Sequence, residues 1–136
     1  MISRRALVAG SVAFAACGTV TTPVVEAGAP EGEGWEAFAL ADYPALLEPG
    51  GAAAVQRPEA LIDVWVLHLA SGAWAAVWKV CTHGACEVAP RGEQLECPCH
   101  GSVFSSDGAV LRGPATRPLA RFEAVRSGDR LYLRRA

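Results

Sequence analysis

Cys81-Thr82-His83-Gly84-Ala85-Cys86 and, ten residues further on, Cys97-Pro98-Cys99-His100-Gly101-Ser102 hold four of the chain's five cysteines and two of its three histidines. Each segment places a Cys and a His close together, as Cys81-x-His83 and Cys97-x-x-His100. A metal centre needs converging soft and borderline donors held by tight turns. The glycines beside both histidines, Gly84 and Gly101, permit such turns. Cys86 and Cys99 are then left over, and two surplus thiols in an exported protein can pair as a disulfide. On these residues alone, three donor sets remain open: a Cys2His2 zinc set, a four-cysteine set that leaves the histidines idle, and a mixed Cys2His2 iron–sulfur set. Zinc fingers usually group Cys with Cys and His with His, and zinc gives the second cysteine pair no role. The mixed iron–sulfur set is the reading favoured here.

The sequence on either side is β-rich. Leu61 to Leu69 is mostly apolar and carries the β-branched Ile62, Val64 and Val66, and Ser71-Gly72 turns it into Ala73 to Val77, which predicts a hairpin. Phe122 to Arg126 and Leu131 to Arg134 flank Ser127-Gly128-Asp129 and predict a second. Trp35 to Leu40 predicts a strand, Asp42 to Leu47 a short turn or helical turn, and Glu48-Pro49-Gly50-Gly51 a turn. No segment carries a helical apolar stripe of useful length, and no repeat is present. The expected fold is all-β, a small antiparallel sandwich or barrel. Trp65, Trp74 and Trp78 are expected to pack on the sheet, and His68 to sit on a sheet surface outside the metal-binding loops. Asp107-Gly108 reads as a turn.

Towards the N-terminus the pattern changes. Ser3-Arg4-Arg5 is a basic start to an apolar run from Ala6 to Ala16 that is too short to span about 30 Å of hydrocarbon. Residues 1–16 therefore read as an export signal, and the arginine pair resembles a twin-arginine signal. Phe14-Ala15-Ala16-Cys17 resembles a bacterial lipobox, which makes Cys17 the candidate lipid-modified residue of a membrane-tethered protein. The alternative is an uncleaved anchor running from Ala6 to Val25. Residues 17–34, rich in Thr, Pro, Gly, Ala and Glu, read as a flexible linker, and residues 35–136 as the folded domain.

At 136 residues the chain has room for one domain. A 51% hydrophobic content supports a packed core, and a net charge of −2 gives no electrostatic case for nucleic acid. No nucleophile–base arrangement and no phosphate loop is present.

The boxes Cys-Thr-His-Gly-Ala-Cys and Cys-Pro-Cys-His-Gly-Ser resemble the two cluster-binding boxes of the Rieske [2Fe–2S] family. The resemblance covers about Trp35 to Arg134 and implies a Rieske-type antiparallel β-sandwich with a small inserted cluster-binding subdomain, its loops at about 79–118. It implies one [2Fe–2S] cluster per chain, with Cys81 and Cys97 on one iron and His83 and His100 on the other. The cysteine pair Cys86 and Cys99 resembles the disulfide of the cytochrome bc and b6f group, which oxygenase-type Rieske ferredoxins lack. Gly113-Pro114-Ala115 resembles that group's covering loop, with Thr116 in place of its second proline. Ser102 matches a serine that hydrogen-bonds a cluster sulfide, and Phe104 stands where a tyrosine often donates to a cysteine sulfur. A donor to sulfur raises the potential, so the Ser is expected to raise it and the Phe to forgo a contribution.

The resemblance implies a one-electron carrier on the extracytoplasmic side of a bacterial membrane. In the leading reading it is tethered there and oxidises quinol, with a cytochrome b-like subunit and a cytochrome c-like acceptor as partners. A small subunit beside the large subunit of a molybdenum oxidase, resembling arsenite oxidase, is the alternative within the family. A zinc-binding or redox-sensing module without electron flow is the alternative outside it.

Overall fold

The computed structural model describes residues 28–136. The export signal over 1–16, Cys17 and the linker as far as residue 27 lie outside the described residues. Ten strands follow in chain order: β1 (Glu36–Ala39), β2 (Ala52–Arg57), β3 (Ile62–His68), β4 (Trp74–Trp78), β5 (Ala89–Arg91), β6 (Gln94–Glu96), β7 (Val103–Phe104), β8 (Val110–Arg112), β9 (Arg121–Ser127) and β10 (Arg130–Arg135). They form two antiparallel sheets, one of order β1-β10-β9-β4-β3-β2 and a smaller one of order β5-β6-β7-β8. Helical structure among the described residues is limited to three single 3-10 turns, two of them within the predicted 42–47 region and its flank.

The large sheet follows from its two hairpins. Val64, Trp65, Val66 and Leu67 of β3 pair with Trp78, Val77, Ala76 and Ala75 of β4, and Gly72 takes the positive φ of 86° that the connecting turn requires. β9 and β10 pair from Arg130↔Ser127 to Arg135↔Phe122. β4 and β9 are neighbours in the sheet, through Ala76↔Phe122 and Val77↔Arg121. The chain therefore leaves the sheet after Trp78, builds the small sheet and both Cys/His loops, and returns beside its point of departure. The edges of the large sheet meet at one end. Arg57 of β2 reaches Glu36 of β1 at 2.6 Å, donates to the Ala37 carbonyl at 2.9 Å and lies 4.1 Å over the Phe38 ring.

Alternation along β3 separates two cores. Ile62, Val64 and Val66 face inward with Phe38, Leu40, Leu46, Val55, Phe122, Leu131 and Leu133. Leu67, with Val77 of β4, faces the small sheet and packs with Val88, Leu95, Phe104, Ala115 and Leu119. Each such Val, Leu or Phe contributes about 1.5–3 kcal/mol by leaving water. Trp65 fastens the layers together, donating from Nε1 to the Val88 carbonyl at 2.8 Å. Trp74 and Trp78 pack on the inner core, as expected of sheet-packing residues.

Two features depart from the sequence reading. β2 was not expected to be a strand: Ala52-Ala53-Ala54 has weak β propensity, and full-length pairing with β3 imposes the extended form. His68 is not on a surface. It is 7% exposed, stacks on Trp74 at 4.2 Å, and its Nδ1 lies 3.0 Å from the Leu46 carbonyl, so that nitrogen carries the proton. The 3-10 turn ending at Leu46 covers a face that an isolated strand would leave open. Residues 28–34 contain no strand or helix, and Ser127 Oγ lies 3.2 Å from the Gly28 carbonyl.

Candidate metal centre

The two boxes fold into loops of the same construction. The Cys81 N–H donates to the Cys86 carbonyl at 2.8 Å, and the Cys97 N–H to the Ser102 carbonyl at 2.8 Å. In both, the first cysteine closes a turn onto the residue five positions later. The first loop rises from a β-bridge between Val80 and Glu87. The second is the connection between β6 and β7, which pair through Leu95↔Phe104 and Glu96↔Val103. Gly101 takes a φ of 80° to complete the second turn. Gly84 lies outside the positive-φ region, so only one of the two glycines is required by its backbone.

This construction sorts the donors by depth. Cys81 and Cys97, at the loop bases, are 4% and 1% exposed, and neither is in a disulfide. His83 and His100, further along, are exposed, with ring centroids 4.9 Å apart and planes near perpendicular. Cys86 and Cys99 form a disulfide that ties one loop to the other, their Cα atoms 6.4 Å apart. Among the described residues no three Cys, His, Asp or Glu side chains converge as a single-ion site requires. The donors come as a buried thiol pair and an exposed imidazole pair, a set that fits a two-iron group with different ligands on each iron better than it fits one zinc ion.

The loop around Gly113-Pro114-Ala115 is fastened to both boxes. Ala115 is buried, and its N–H donates to Ser102 Oγ at 2.9 Å. Ser102 is itself fully buried. With its oxygen accepting from Ala115, its hydroxyl proton remains for another acceptor. Thr82 Oγ1 donates to the Arg117 carbonyl at 2.6 Å, and Arg117 returns a bond from Nη2 to the Thr82 carbonyl at 3.3 Å. Arg112 Nε donates to the Gly101 carbonyl at 3.1 Å. These bonds hold the loop in place where Thr116 replaces the second proline. Phe104 is fully buried beside Cys81 and Cys97 in the second core and offers no polar atom.

Lys79 secures the base of the first loop. It is 5% exposed, with Nζ 2.9 Å from Asp63 and 3.4 Å from Glu87. Burial pulls the Lys79 ammonium down, but hydrogen bonds and charges from Asp63 and Glu87 outweigh it and hold the group above the ordinary lysine value. Lys79, Thr82, Arg112 and Arg117 were not singled out from sequence as parts of the site. Thr82 and Arg117 are 35 positions apart, and no local pattern announces their contact. A cavity of about 300 Å³ beside Pro58, Leu61 and Trp78 includes none of the loop residues, so the histidines open onto a surface and not into that cavity.

Residues 40–123 match the Rieske [2Fe-2S] domain. The chain belongs to the Rieske family. It is 46% identical over 56 residues to the cytochrome b6-f complex iron-sulfur subunit of Gloeobacter violaceus, a match covering 40% of this chain and 30% of that one. A corresponding subunit of Synechococcus sp. is 50% identical over 52 residues, 37% of this chain and 30% of that one. The alignments thus span about a third of the length of these relatives. The crystal structure of the plasma membrane Rieske protein from Synechocystis PCC 6803 superposes with a TM-score of 0.58 at 32% identity, covering 71% of this chain and 94% of that one. A ferredoxin of carbazole 1,9a-dioxygenase from Nocardioides aromaticivorans, 21% identical with a TM-score of 0.58, shares the fold. This Rieske protein is therefore an electron-transfer protein whose domain type binds a [2Fe–2S] cluster. No helix among the described residues is long and apolar enough to cross a membrane.

Proposed function

We propose that this Rieske protein is tethered to the extracytoplasmic face of a membrane and takes electrons from a quinol. In this reading a cytochrome b-like subunit forms the quinol site and a cytochrome c-like protein accepts the electron. The observation that carries it is the exposed pair His83 and His100 above the buried thiols Cys81 and Cys97. Cys81 and Cys97 would hold one iron as thiolates, and His83 and His100 the other through a ring nitrogen. The cluster, when bound, takes up and releases one electron at a time. An imidazole that gives one nitrogen to a metal keeps the other for a proton. His83 and His100, open to solvent, are placed to receive a quinol proton on that nitrogen, while the covering loop and Phe104 keep the thiolate side dry. Ser102 is placed to donate its hydroxyl proton towards the cluster. Tethering rests on the apolar run ending at Cys17.

A short-chain quinol analogue should reduce the purified oxidised protein, read as loss of visible absorbance, and the reaction should be lost together with the cluster in His83→Ala and His100→Ala. A protein that a chemical reductant reduces but no quinol does would overturn the choice of donor. Cys17→Ala should move the protein from the membrane fraction to the soluble fraction; membrane association unaffected by that change would refute the lipid tether.

A further inference from the structure

The surface around the two histidines carries two arginines that no ion pair among the described residues takes up. Arg112 and Arg117 stand on the two stems of the covering loop, and both are exposed. Each is fixed to the box beneath it, Arg112 at the Gly101 carbonyl beside His100 and Arg117 at the Thr82 carbonyl beside His83. Neither is in an ion pair among the described residues. Of the carboxylates that adjoin the boxes, Glu96 lies 3.8 Å from Arg91, while Glu87 shares Lys79 with Asp63, a group that keeps one negative charge at the base of the first loop. Segments 81–86, 97–102 and 111–118 contain no Asp or Glu. The rim is thus cationic on a chain whose net charge is −2.

We propose that Arg112 and Arg117 form a docking collar for an acidic electron-transfer protein, which accepts one electron at the His83–His100 face. The acceptor is reduced by one electron as this protein is oxidised by one. A guanidinium has five N–H donors in a planar fork. One bond to a backbone carbonyl fixes the fork and leaves donors for a carboxylate of the partner, so little side-chain entropy is lost on docking. Opposite charge also steers the encounter, and this effect weakens as salt shortens the screening length. An uncharged quinol feels none of this steering, so the inference concerns the acceptor. The inference rests on the electron-transfer reading above and names the chemistry of its partner.

The test uses the holoprotein and three double variants, Arg112→Glu with Arg117→Glu, Arg112→Gln with Arg117→Gln, and Arg112→Lys with Arg117→Lys. Binding to an acidic plastocyanin and to a basic cytochrome c is measured by surface plasmon resonance at low and high salt. Oxidation of the reduced protein by anionic ferricyanide and by cationic tris(phenanthroline)cobalt(III) is followed in a stopped-flow instrument. The unaltered protein should bind plastocyanin more tightly than cytochrome c at low salt and lose that preference at high salt. The Glu variant should reverse the order, the Gln variant should abolish it, and the Lys variant should keep it. At low salt, charge reversal should slow ferricyanide about tenfold and quicken the cobalt complex. A binding order indifferent to these substitutions would overturn the collar, and so would two oxidant rates moving in the same direction, the mark of a changed potential. If the Glu variant loses its colour, the Gln and Lys variants decide by the same criteria. An unaltered protein that neither oxidant can discharge would overturn the electron-transfer reading instead, with the binding order still judging the collar.

Discussion

The two cores of this small protein are built on opposite faces of the same strands and answer to different requirements. The inner core, under the curled sheet, is closed by aliphatic and aromatic side chains from β1, β2, β3, β4, β9 and β10. The second core begins in the same way, with Leu67, Val77, Leu95 and Phe104, but ends in the thiols of Cys81 and Cys97. Buried Ser102 adjoins it at the covering loop. The first core makes the platform. The second ends in the residues that, under the proposed function, would hold the cluster and donate to it. Stability and cofactor binding should therefore be separable, because the strands that close the inner core complete their sheet without residues 79–120.

The largest effect should come from the donors. Cys81→Ser, Cys97→Ser, His83→Ala and His100→Ala should each abolish the visible absorbance and the reduced-state electron paramagnetic resonance signal. Far-ultraviolet circular dichroism should show the large sheet retained. Unfolding of the whole domain in these variants would mean that the two cores are one cooperative unit held by the metal.

Leu131→Ala acts on the other side of the comparison. Leu131 is fully buried in the inner core, and its truncation should cost about 2–5 kcal/mol. Denaturant titration should show the lower midpoint, while the spectrum of the folded protein stays unchanged. An altered spectrum in the folded state would show that inner-core packing reaches the ligands.

The disulfide is intermediate. Cys86 and Cys99 are 13 positions apart, and closing a loop of about 15 residues is worth roughly 3 kcal/mol in the chain-entropy model. Cys86→Ser should leave the sheet folded, weaken cluster retention and lower the midpoint potential, as measured by dialysis against chelator and by voltammetry. Equal retention in the variant would remove the clamp from the account.

Ser102→Ala should have a smaller effect. It leaves the Ala115 N–H without its partner in a buried place, at a cost of about 1–3 kcal/mol. It should also lower the potential, because a donor to sulfur stabilises the reduced form. Ser102→Thr, which keeps the hydroxyl, should restore much of both. A potential indifferent to Ser102→Ala would leave the serine a structural role only.

The large sheet was legible where β-branched runs met turn residues, as at Leu61–Leu69 with Ser71-Gly72 and at Ser127-Gly128-Asp129. β2 was not, because its alanines carry no preference and its form comes from β3. The small sheet was not either. Strands of two or three residues such as β7 and β8 are too short to show a period, and they are fixed by the loops they carry. The two Cys/His boxes stood out because each pairs its Cys and His within a few positions. What escaped was the support between distant segments: Trp65 to Val88, Lys79 to Asp63, and Thr82 to Arg117. His68 escaped for a related reason, since only the turn at Leu46 makes it buried.

The claim most in need of test is that two thiols and two imidazoles share one cluster. Pulsed electron paramagnetic resonance of the reduced protein, with histidine labelled by nitrogen-15, reads the ligands directly. Two strongly coupled nitrogens are expected, and both couplings should vanish with the cluster in His83→Ala and in His100→Ala. An assembled cluster without nitrogen coupling would make four cysteines the ligands, and a colourless protein with one zinc per chain would contradict the account altogether.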